Sequence, residues 1–127
     1  MSVVEQYARA HIVTDADVQV LDERGAIPVV LCYDPDTDPR AVRMRLPGPH
    51  EWSFSRDLLE QGLRAPAGSG DVQVWPCGRV QAVVEFHSAQ GDYVVQFDTK
   101  ALMRFLRRTY LAAATPAPVA REAQLGR

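Results

Sequence analysis

The chain has 127 residues, which is the size of one domain with a buried hydrophobic core. Its content of 46% hydrophobic and 24% charged residues is ordinary for a soluble globular protein, and its net charge of -2 argues against a general nucleic-acid binder. The sequence contains neither a signal-peptide pattern nor a stretch of roughly 20 apolar residues, so we expect a single cytoplasmic domain without membrane insertion.

The first fourteen residues form a lead-in segment whose structure the sequence leaves open. Val4, Tyr7 and Ile12 have a loosely helical spacing, whereas the β-branched pair at positions 13 and 14 interrupts it, so a short helix and a strand are both possible. We assign residues 1–14 to this lead-in segment, residues 15–114 to a single domain and residues 115–127 to a flexible C-terminal tail.

The first half of the domain has the pattern of an antiparallel meander. One of its predicted strands is apolar on both faces, as expected for a strand that is covered on each side. Another alternates between apolar residues and Arg43 and Arg45, so one of its faces should be exposed to solvent. We predict four strands, at residues 17–21, 27–33, 40–46 and 51–55, separated by tight turns.

The middle of the chain predicts a strand, a helix, a loop and a second strand. Trp52 and Phe54 share one face of the first strand, and Ser55 can cap the helix that follows. Gly62 can end this helix in the left-handed conformation, and residues 66–70 should form a turn. Further strands are predicted at residues 71–75, 80–87 and 92–97, and a long final helix begins at residue 98 or 99.

These elements predict an α+β fold in the order ββββαβββα, with two antiparallel sheets that are each followed by a helix. The apolar faces of the strands and helices should meet in one core. Phe105 belongs to this core because the apolar residues of the final helix repeat at helical spacing. We predict that the core contains Trp52, Phe54, Leu58, Leu59, Val84, Phe86, Val95, Phe97, Leu102, Phe105 and Leu106.

Nothing in the sequence indicates a catalytic centre, a cofactor or a metal site. Cys32 and Cys77 lack metal-binding spacing and are interpreted as reduced, buried thiols, and the three histidines lie far apart. The acidic turn at residues 34–39 could in principle bind calcium. It lacks the glycine and distal glutamate of an EF-hand loop, so we interpret it as a hairpin loop with Asx-type turns.

Basic residues suggest a possible surface for anions or a protein partner. The final helix places its basic residues opposite its apolar face, and two further arginines lie on the strand at 40–46. The alternative is a solvated face that balances the acidic residues elsewhere. The possible partner surface comprises Arg43, Arg45, Lys100, Arg104, Arg107 and Arg108.

The strand at residues 27–33 is also a candidate for self-association. It has more apolar surface than a strand in a two-layer monomer needs, and an uncovered apolar patch usually marks an interaction site. A second copy of the chain is the simplest way to cover it. We therefore expect a homo-oligomer with Val30 or Cys32 in or beside the contact.

The middle of the chain also resembles a known family. Two motifs carry the resemblance, W-x-F-x-R-D-L-L-x-x-G-L and P-x-G-x-G-D-V-x-V-W-P, and both are similar to those of the SsgA-like family of actinobacterial sporulation and cell-division proteins. The matching residues are packing and turn residues rather than chemical groups. They are Trp52, Phe54, Arg56, Asp57, Leu58, Leu59, Gly62, Leu63, Pro66, Gly68, Gly70, Asp71, Val72, Val74, Trp75 and Pro76.

The resemblance implies a Whirly-like arrangement of two sheets, association as a trimer and a non-catalytic role in septation during sporulation. An SsgB-like member would recruit the division protein FtsZ to septum sites and contact other SsgA-like proteins, which places it in the cytoplasm at the division septum. The alternative is a single-stranded nucleic-acid binding module, suggested by fold analogy alone. We expect no nucleic-acid binding, because the aromatic residues lie on the predicted core faces and only Trp75 is a candidate for base stacking.

Overall fold

The structure, a computed structural model, describes residues 3–14, 26–47, 50–89 and 91–114. Within these residues the elements follow the order ββββαββββα. The strands are β1 (Val4–Thr14), β2 (Ala26–Tyr33), β3 (Ala41–Leu46), β4 (His50–Ser55), β5 (Ala67–Ser69), β6 (Val72–Cys77), β7 (Gln81–Ser88) and β8 (Gly91–Asp98), and the helices are α1 (Arg56–Gly62) and α2 (Thr99–Ala114).

All eight strands belong to one antiparallel sheet with the order β4-β3-β2-β1-β8-β7-β6-β5. The prediction of two separate sheets is therefore wrong, because β1 pairs with β2 on one side and with β8 on the other. The lead-in segment, left open between helix and strand, is this joining strand. Its buried residues include the small Ala8 and Ala10, which contribute little to an apolar pattern and hide its period of two.

Two further predicted features differ from the structure or lie outside it. The strand predicted at residues 17–21 lies outside the described residues. The segment predicted as a turn at 66–70 contains β5, which pairs with β6 through Ala67 opposite Val74. Such a three-residue edge strand is too short to show an alternating pattern.

The sheet curls until its two halves face each other. Trp52 on β4 stacks on Phe86 of β7, with ring centroids 4.7 Å apart and ring planes inclined by 19°. Phe54 packs edge-on against the same ring at 5.9 Å, and His50 hydrogen-bonds to the Tyr93 hydroxyl at 3.1 Å. Because β4 and β7 are far apart in the strand order, these contacts require the sheet to close on itself.

Helix α1 links the two edge strands of the sheet, β4 and β5, and packs against β4, β5 and β6. The Ser55 side chain caps it by accepting a hydrogen bond from the Leu58 amide at 3.1 Å, as predicted. The predicted role of Gly62 is wrong, since Gly62 is the last helical residue and has no positive φ. It is required for close packing, because a Cβ there would overlap the Val74 side chain and lie 2.8 Å from the Val74 carbonyl oxygen.

Helix α2 covers the inner face of the sheet beside β1, β7 and β8. Leu102, Phe105 and Leu106 are buried, and Phe105 has no exposed surface. The predicted core is confirmed, with Trp52 partly buried at its edge. It extends further than predicted, since the inward residues of the first three strands join it, namely Val4, Ala8, Ala10, Ile27, Val29, Leu31, Tyr33, Val42, Met44 and Leu46.

Replacing Phe105 with alanine should lower the free energy of unfolding by about 3–5 kcal/mol, because it removes a fully buried aromatic ring and leaves a cavity. Urea denaturation followed by circular dichroism measures this change. Met103→Ala on the same helix is the control, since that side chain is 52% exposed and its loss should change stability by less than about 0.5 kcal/mol. Equal effects of the two substitutions would contradict the assigned helix face.

Gly62→Ala should destabilise the protein by about 1–3 kcal/mol, because the added methyl group forces α1 away from β6. Alanine has the higher helix propensity by about 1 kcal/mol, so a stabilised variant in the same denaturation experiment would show that α1 is not held this closely. Gly68→Ala is the matched control. It should destabilise the protein less than Gly62→Ala, because its methyl group would meet the flexible Gln73 side chain at 3.2 Å.

Candidate functional site

The outward face of β1, β2 and β3 carries the most exposed aromatic residue among those described. Strand register places Tyr7 opposite Val30, and Val30 opposite Arg45. The Tyr7 residue is 75% exposed and Val30 is half-buried. We call these three residues the outer patch. Tyrosine and arginine are enriched at the centres of protein interfaces, so the outer patch is a candidate contact surface.

Cys32 lies two residues from Val30 on the same outward face, but it is only 1% exposed in the single chain. The Arg45 guanidinium lies over it, with Nη2 3.7 Å from the sulfur. Burial raises the pKa of the Cys32 thiol, and the positive charge of Arg45 opposes that rise. Cys77, by contrast, is only half-buried, and both cysteines are free thiols. Of the two predicted contact residues, Val30 thus retains the accessible surface, whereas Cys32 is already covered.

The basic residues predicted to form one surface lie on two sides of the sheet. Arg43 and Arg45 face outward on β3, and Arg43 is 3.6 Å from the Glu51 carboxylate. Helix α2 packs on the inward face of the sheet, so its exposed side is not on the outward face that carries Arg43 and Arg45. The structure does not bring the two groups together. The exposed face of each element is predicted correctly from its periodicity, but periodicity cannot show which face of the sheet the helix covers.

The basic side of α2 is exposed and free of acidic residues. Lys100, Arg104 and Arg107 are exposed and form no ion pair with any residue in the described ranges. Arg108 is tied to β1, since its guanidinium donates hydrogen bonds to the Gln6 side-chain oxygen at 3.2 Å and to the Glu5 carbonyl oxygen at 3.4 Å. Both acceptors are neutral, so the positive charge of Arg108 is not cancelled by them.

Arg56, one of the motif residues, joins three parts of the fold. Its guanidinium donates to the Tyr33 hydroxyl at 3.2 Å and lies 4.1 Å from the ring centroid of Tyr110 on α2. The Tyr110 hydroxyl donates in turn to the Glu60 carboxylate, and this hydrogen bond raises the pKa of Tyr110. The cluster fixes α1 to α2 and to the hairpin after β2. Tyr33, Glu60 and Tyr110 carried no sequence signal for this role because they are brought together only by the fold.

Trp75 takes part in a polar chain on the outward side of β6, β7 and β8. Its indole Nε1 donates to the Glu85 carboxylate at 2.6 Å, and His87 lies 3.1 Å from both Glu85 and Asp92. The hydrogen bonds to Asp92 and then to Glu85 raise the pKa of His87. Trp75 is half-buried, and its polar edge is already occupied. The acceptors on two sides of the His87 ring favour the doubly protonated imidazolium.

The acidic hairpin between β2 and β3 folds on its own hydrogen bonds. The Asp34 carboxylate accepts hydrogen bonds from the Thr37 hydroxyl at 2.8 Å and from the Asp36 amide at 3.0 Å, and these lower the pKa of Asp34. These contacts confirm the predicted Asx-type turn. Across the part of the chain that the structure describes, no group of three or more histidine, cysteine, aspartate or glutamate residues could hold a metal ion.

Two surface cavities are small for ligand sites. The cavity beside the acidic hairpin has a volume of about 250 Å³, and the one near His11 and Gln96 about 280 Å³. Pockets for small molecules usually enclose about 300–1,000 Å³. None of the described helices is long and apolar enough to span a membrane. Contact surfaces are therefore better candidates for function than either cavity.

The remaining motif residues serve the fold. Trp52, Phe54, Leu58, Leu59, Val72 and Val74 pack in or against the core, with Leu63 beside them. Gly70 turns the chain with φ of +62°, and the Asp71 carbonyl oxygen accepts a hydrogen bond from the His87 amide at 2.9 Å. Asp57 lies in the first turn of α1, where a carboxylate suits the helix dipole. Pro76 pairs with Ala82 across β6 and β7.

Comparison with known proteins finds a consistent set of relatives. Proteins named sporulation-specific cell division protein SsgB from Kineococcus radiotolerans and Salinispora tropica are 42% and 38% identical over 65% and 75% of this chain. The aligned stretch covers 54% and 73% of those relatives, so the chain matches only part of their length. The SsgB protein of Streptomyces coelicolor is 39% identical over 65% of each chain.

Solved structures agree with these matches. A structure from work that links mutations in SsgB to longitudinal cell division during sporulation of Streptomyces coelicolor aligns with a TM-score of 0.72 and 33% identity, over 87% of this chain and 86% of the other. An SsgA-like sporulation-specific cell division protein from Thermobifida fusca aligns with a TM-score of 0.68 and 28% identity, over 88% and 83% of the two chains.

The family model described as Streptomyces sporulation and cell division protein, SsgA, matches residues 27–117, which is most of the chain. This stretch begins in β2 and includes both motifs and both helices. The chain is a member of the SsgA family.

Proposed function

We propose that this protein is a non-catalytic adaptor in sporulation-specific septation, and that it recruits or positions FtsZ at septum sites. The observation that carries the proposal is membership of a family described by sporulation and cell division, with relatives named for that process. The exposed outer patch and the basic side of α2 offer surfaces for protein contacts. Such a role needs binding surfaces on a rigid fold rather than reactive groups.

The proposal includes self-association into a trimer and a Whirly-like arrangement of the sheet within each chain. The outer patch supports it, since Tyr7 is 75% exposed beside the half-buried Val30. An exposed tyrosine and an apolar neighbour on the outward sheet face suit a second copy of the chain. Cyclic symmetry would then present three equal partner surfaces. A weak affinity per subunit would become strong attachment to a polymer such as FtsZ when several sites engage together.

The alternative of single-stranded nucleic-acid binding finds less support. It requires accessible aromatic rings among basic residues. Phe54, Phe86 and Phe97 are buried in the core, Trp52 stacks on Phe86, and the polar edge of Trp75 is occupied by Glu85. Tyr7 beside Arg45 is a single strongly exposed ring, whereas stacking of successive bases needs several. Tight binding to single-stranded DNA that weakens steeply with added salt would favour the alternative over the adaptor role.

Val30→Glu should convert the trimer into monomers, because association would bury an added carboxylate, and the attraction of Arg45 across the strand pair does not offset the full cost of taking that charge out of water. Sedimentation equilibrium at micromolar concentration measures the mass. The control is Val80→Glu, the same change at a residue that is 65% exposed outside the outer patch, and it should leave the trimer intact. A monomeric unsubstituted chain would refute the trimer, and a trimer of undiminished stability in Val30→Glu would place the contact elsewhere.

Co-sedimentation with FtsZ tests the adaptor role directly. The purified chain should enter the pellet with FtsZ polymers when GTP is present and stay in the supernatant when GTP is absent. If avidity contributes, Val30→Glu should lower the pelleted fraction by at least about tenfold, while Val80→Glu should not change it. Failure of the unsubstituted trimer to pellet with FtsZ polymers would contradict recruitment of FtsZ.

A further inference from the structure

Helix α2 has a strongly one-sided charge. Its sixteen residues include four basic residues and no acidic one, although the chain as a whole has a net charge of -2. The apolar residues that hold the helix, Leu102, Phe105 and Leu106, are at most 5% exposed. The positive charges therefore lie on the side that faces away from the core, where no carboxylate of the helix itself can neutralise them.

Three of these charges line one side of the helix. Lys100, Arg104 and Arg107 are spaced by four and then three residues, so they lie one above another over two turns. None of them forms an ion pair within the described ranges. Arg108 adds a fourth charge at the β1 side through its contacts with neutral oxygens. We call these four residues the basic helix surface.

Exposed apolar side chains are interleaved with these cations. Met103 is 52% exposed and Leu111 is 62% exposed, and Arg107 lies between them along the helix. Their separation of eight residues corresponds to about 12 Å along the helix axis. Methionine is common at surfaces that adapt to several partner side chains. The surface thus combines charge with two separate apolar contact points.

We infer that the basic helix surface, together with Met103, binds an acidic amphipathic segment of a partner protein. Aspartate or glutamate side chains of that segment would pair with Lys100, Arg104 and Arg107, and its apolar residues would contact Met103. This inference rests on the proposed role as a protein adaptor and specifies the chemistry of the segment that the adaptor holds. It requires no ordering of α2 on binding, because the helix is already fixed to the core.

A protein segment fits this surface better than a membrane or a nucleic acid does. A helix that lies in a membrane interface needs a continuous apolar face, and the continuous apolar face of α2 is packed in the core. Single-stranded nucleic acids need aromatic rings for stacking. The one aromatic residue on the exposed side of α2 is Tyr110, whose ring is covered by Arg56 and whose hydroxyl is bonded to Glu60.

The surrounding charges limit where an acidic segment can lie. Around Tyr110 the acidic Asp57 and Glu60 are balanced by Arg56, which lies over the Tyr110 ring, and by Arg64, which pairs with Glu60 at 3.1 Å, so this end of the helix offers an acidic partner no net attraction. Arg104 and Lys100 precede Tyr110 by roughly one and a half and roughly three helical turns. The segment should therefore cross the first three turns of α2 rather than its C-terminal end.

A peptide display library tests the inference on the full-length chain. The library consists of 16-residue peptides with six fixed glutamates and one fixed leucine, and the other positions are random. A second library has glutamine in place of every glutamate. We expect enrichment only from the acidic library, and affinities of the selected peptides that fall as NaCl is raised.

Charge reversal then locates the binding surface. Arg104→Glu combined with Arg107→Glu should weaken the selected peptides by at least about tenfold, because two attractions become repulsions. The control is Arg40→Glu combined with Arg43→Glu, which makes the same change in net charge just before and within β3. It should leave peptide binding unchanged, because the outward face of β3 points away from α2. Thermal melting of both variants checks that each remains folded.

The inference is overturned if no acidic peptide is enriched, or if the selected peptides bind the Arg104→Glu, Arg107→Glu variant as well as the unsubstituted chain. Binding to phosphatidylglycerol vesicles or to oligodeoxythymidine without peptide enrichment would instead identify a membrane or nucleic-acid surface. Failure of the adaptor proposal has a different signature. The chain would then not pellet with FtsZ polymers, even if acidic peptides are enriched and lost on charge reversal.

Discussion

The fold depends on helix α1 holding the two edges of one sheet together. Strands β4 and β5 are the outermost strands of the sheet, and α1 is the only segment between them in sequence. It packs so closely on β6 that residue 62 has no room for a side chain. The aromatic contacts between β4 and β7 join the same two halves of the sheet. Helix α1 packs against both edge strands, and packing a helix at a sheet edge is one way in which proteins limit pairing with another chain.

Most residues of the family motif pack the closed sheet and its helix α1. The motif aromatics and leucines lie in or against the core, and its glycines serve close contact and a tight turn. Arg56 and Trp75 are the motif residues with polar side-chain networks, and each joins neighbouring elements of the fold. The surfaces that we propose for partner contacts, the outer patch and the basic side of α2, lie outside the motif. The motif thus describes the scaffold and not the contact surfaces that we propose.

The sequence predicted local structure well and the closure poorly. Strong alternation in β3, β7 and β8 and the helical repeat of α2 placed these elements and their buried faces correctly. The sequence does not decide between a helix and a strand for β1, because small alanines occupy its buried positions. Without β1 the single sheet divides into two. The contacts of Arg56 with Tyr110 and of Trp75 with Glu85 join residues 54 and 10 positions apart, which no periodic pattern reports.

A double-mutant cycle between Trp52 and Phe86 tests the closure of the sheet most directly. The measured quantity is the free energy of unfolding of Trp52→Leu, Phe86→Leu and the combined variant, relative to the unsubstituted chain. Stacked rings across the closed sheet should give a coupling energy of about 0.5–1.5 kcal/mol. Effects that add to within about 0.3 kcal/mol would contradict the closure, because they would show that β4 and β7 do not meet.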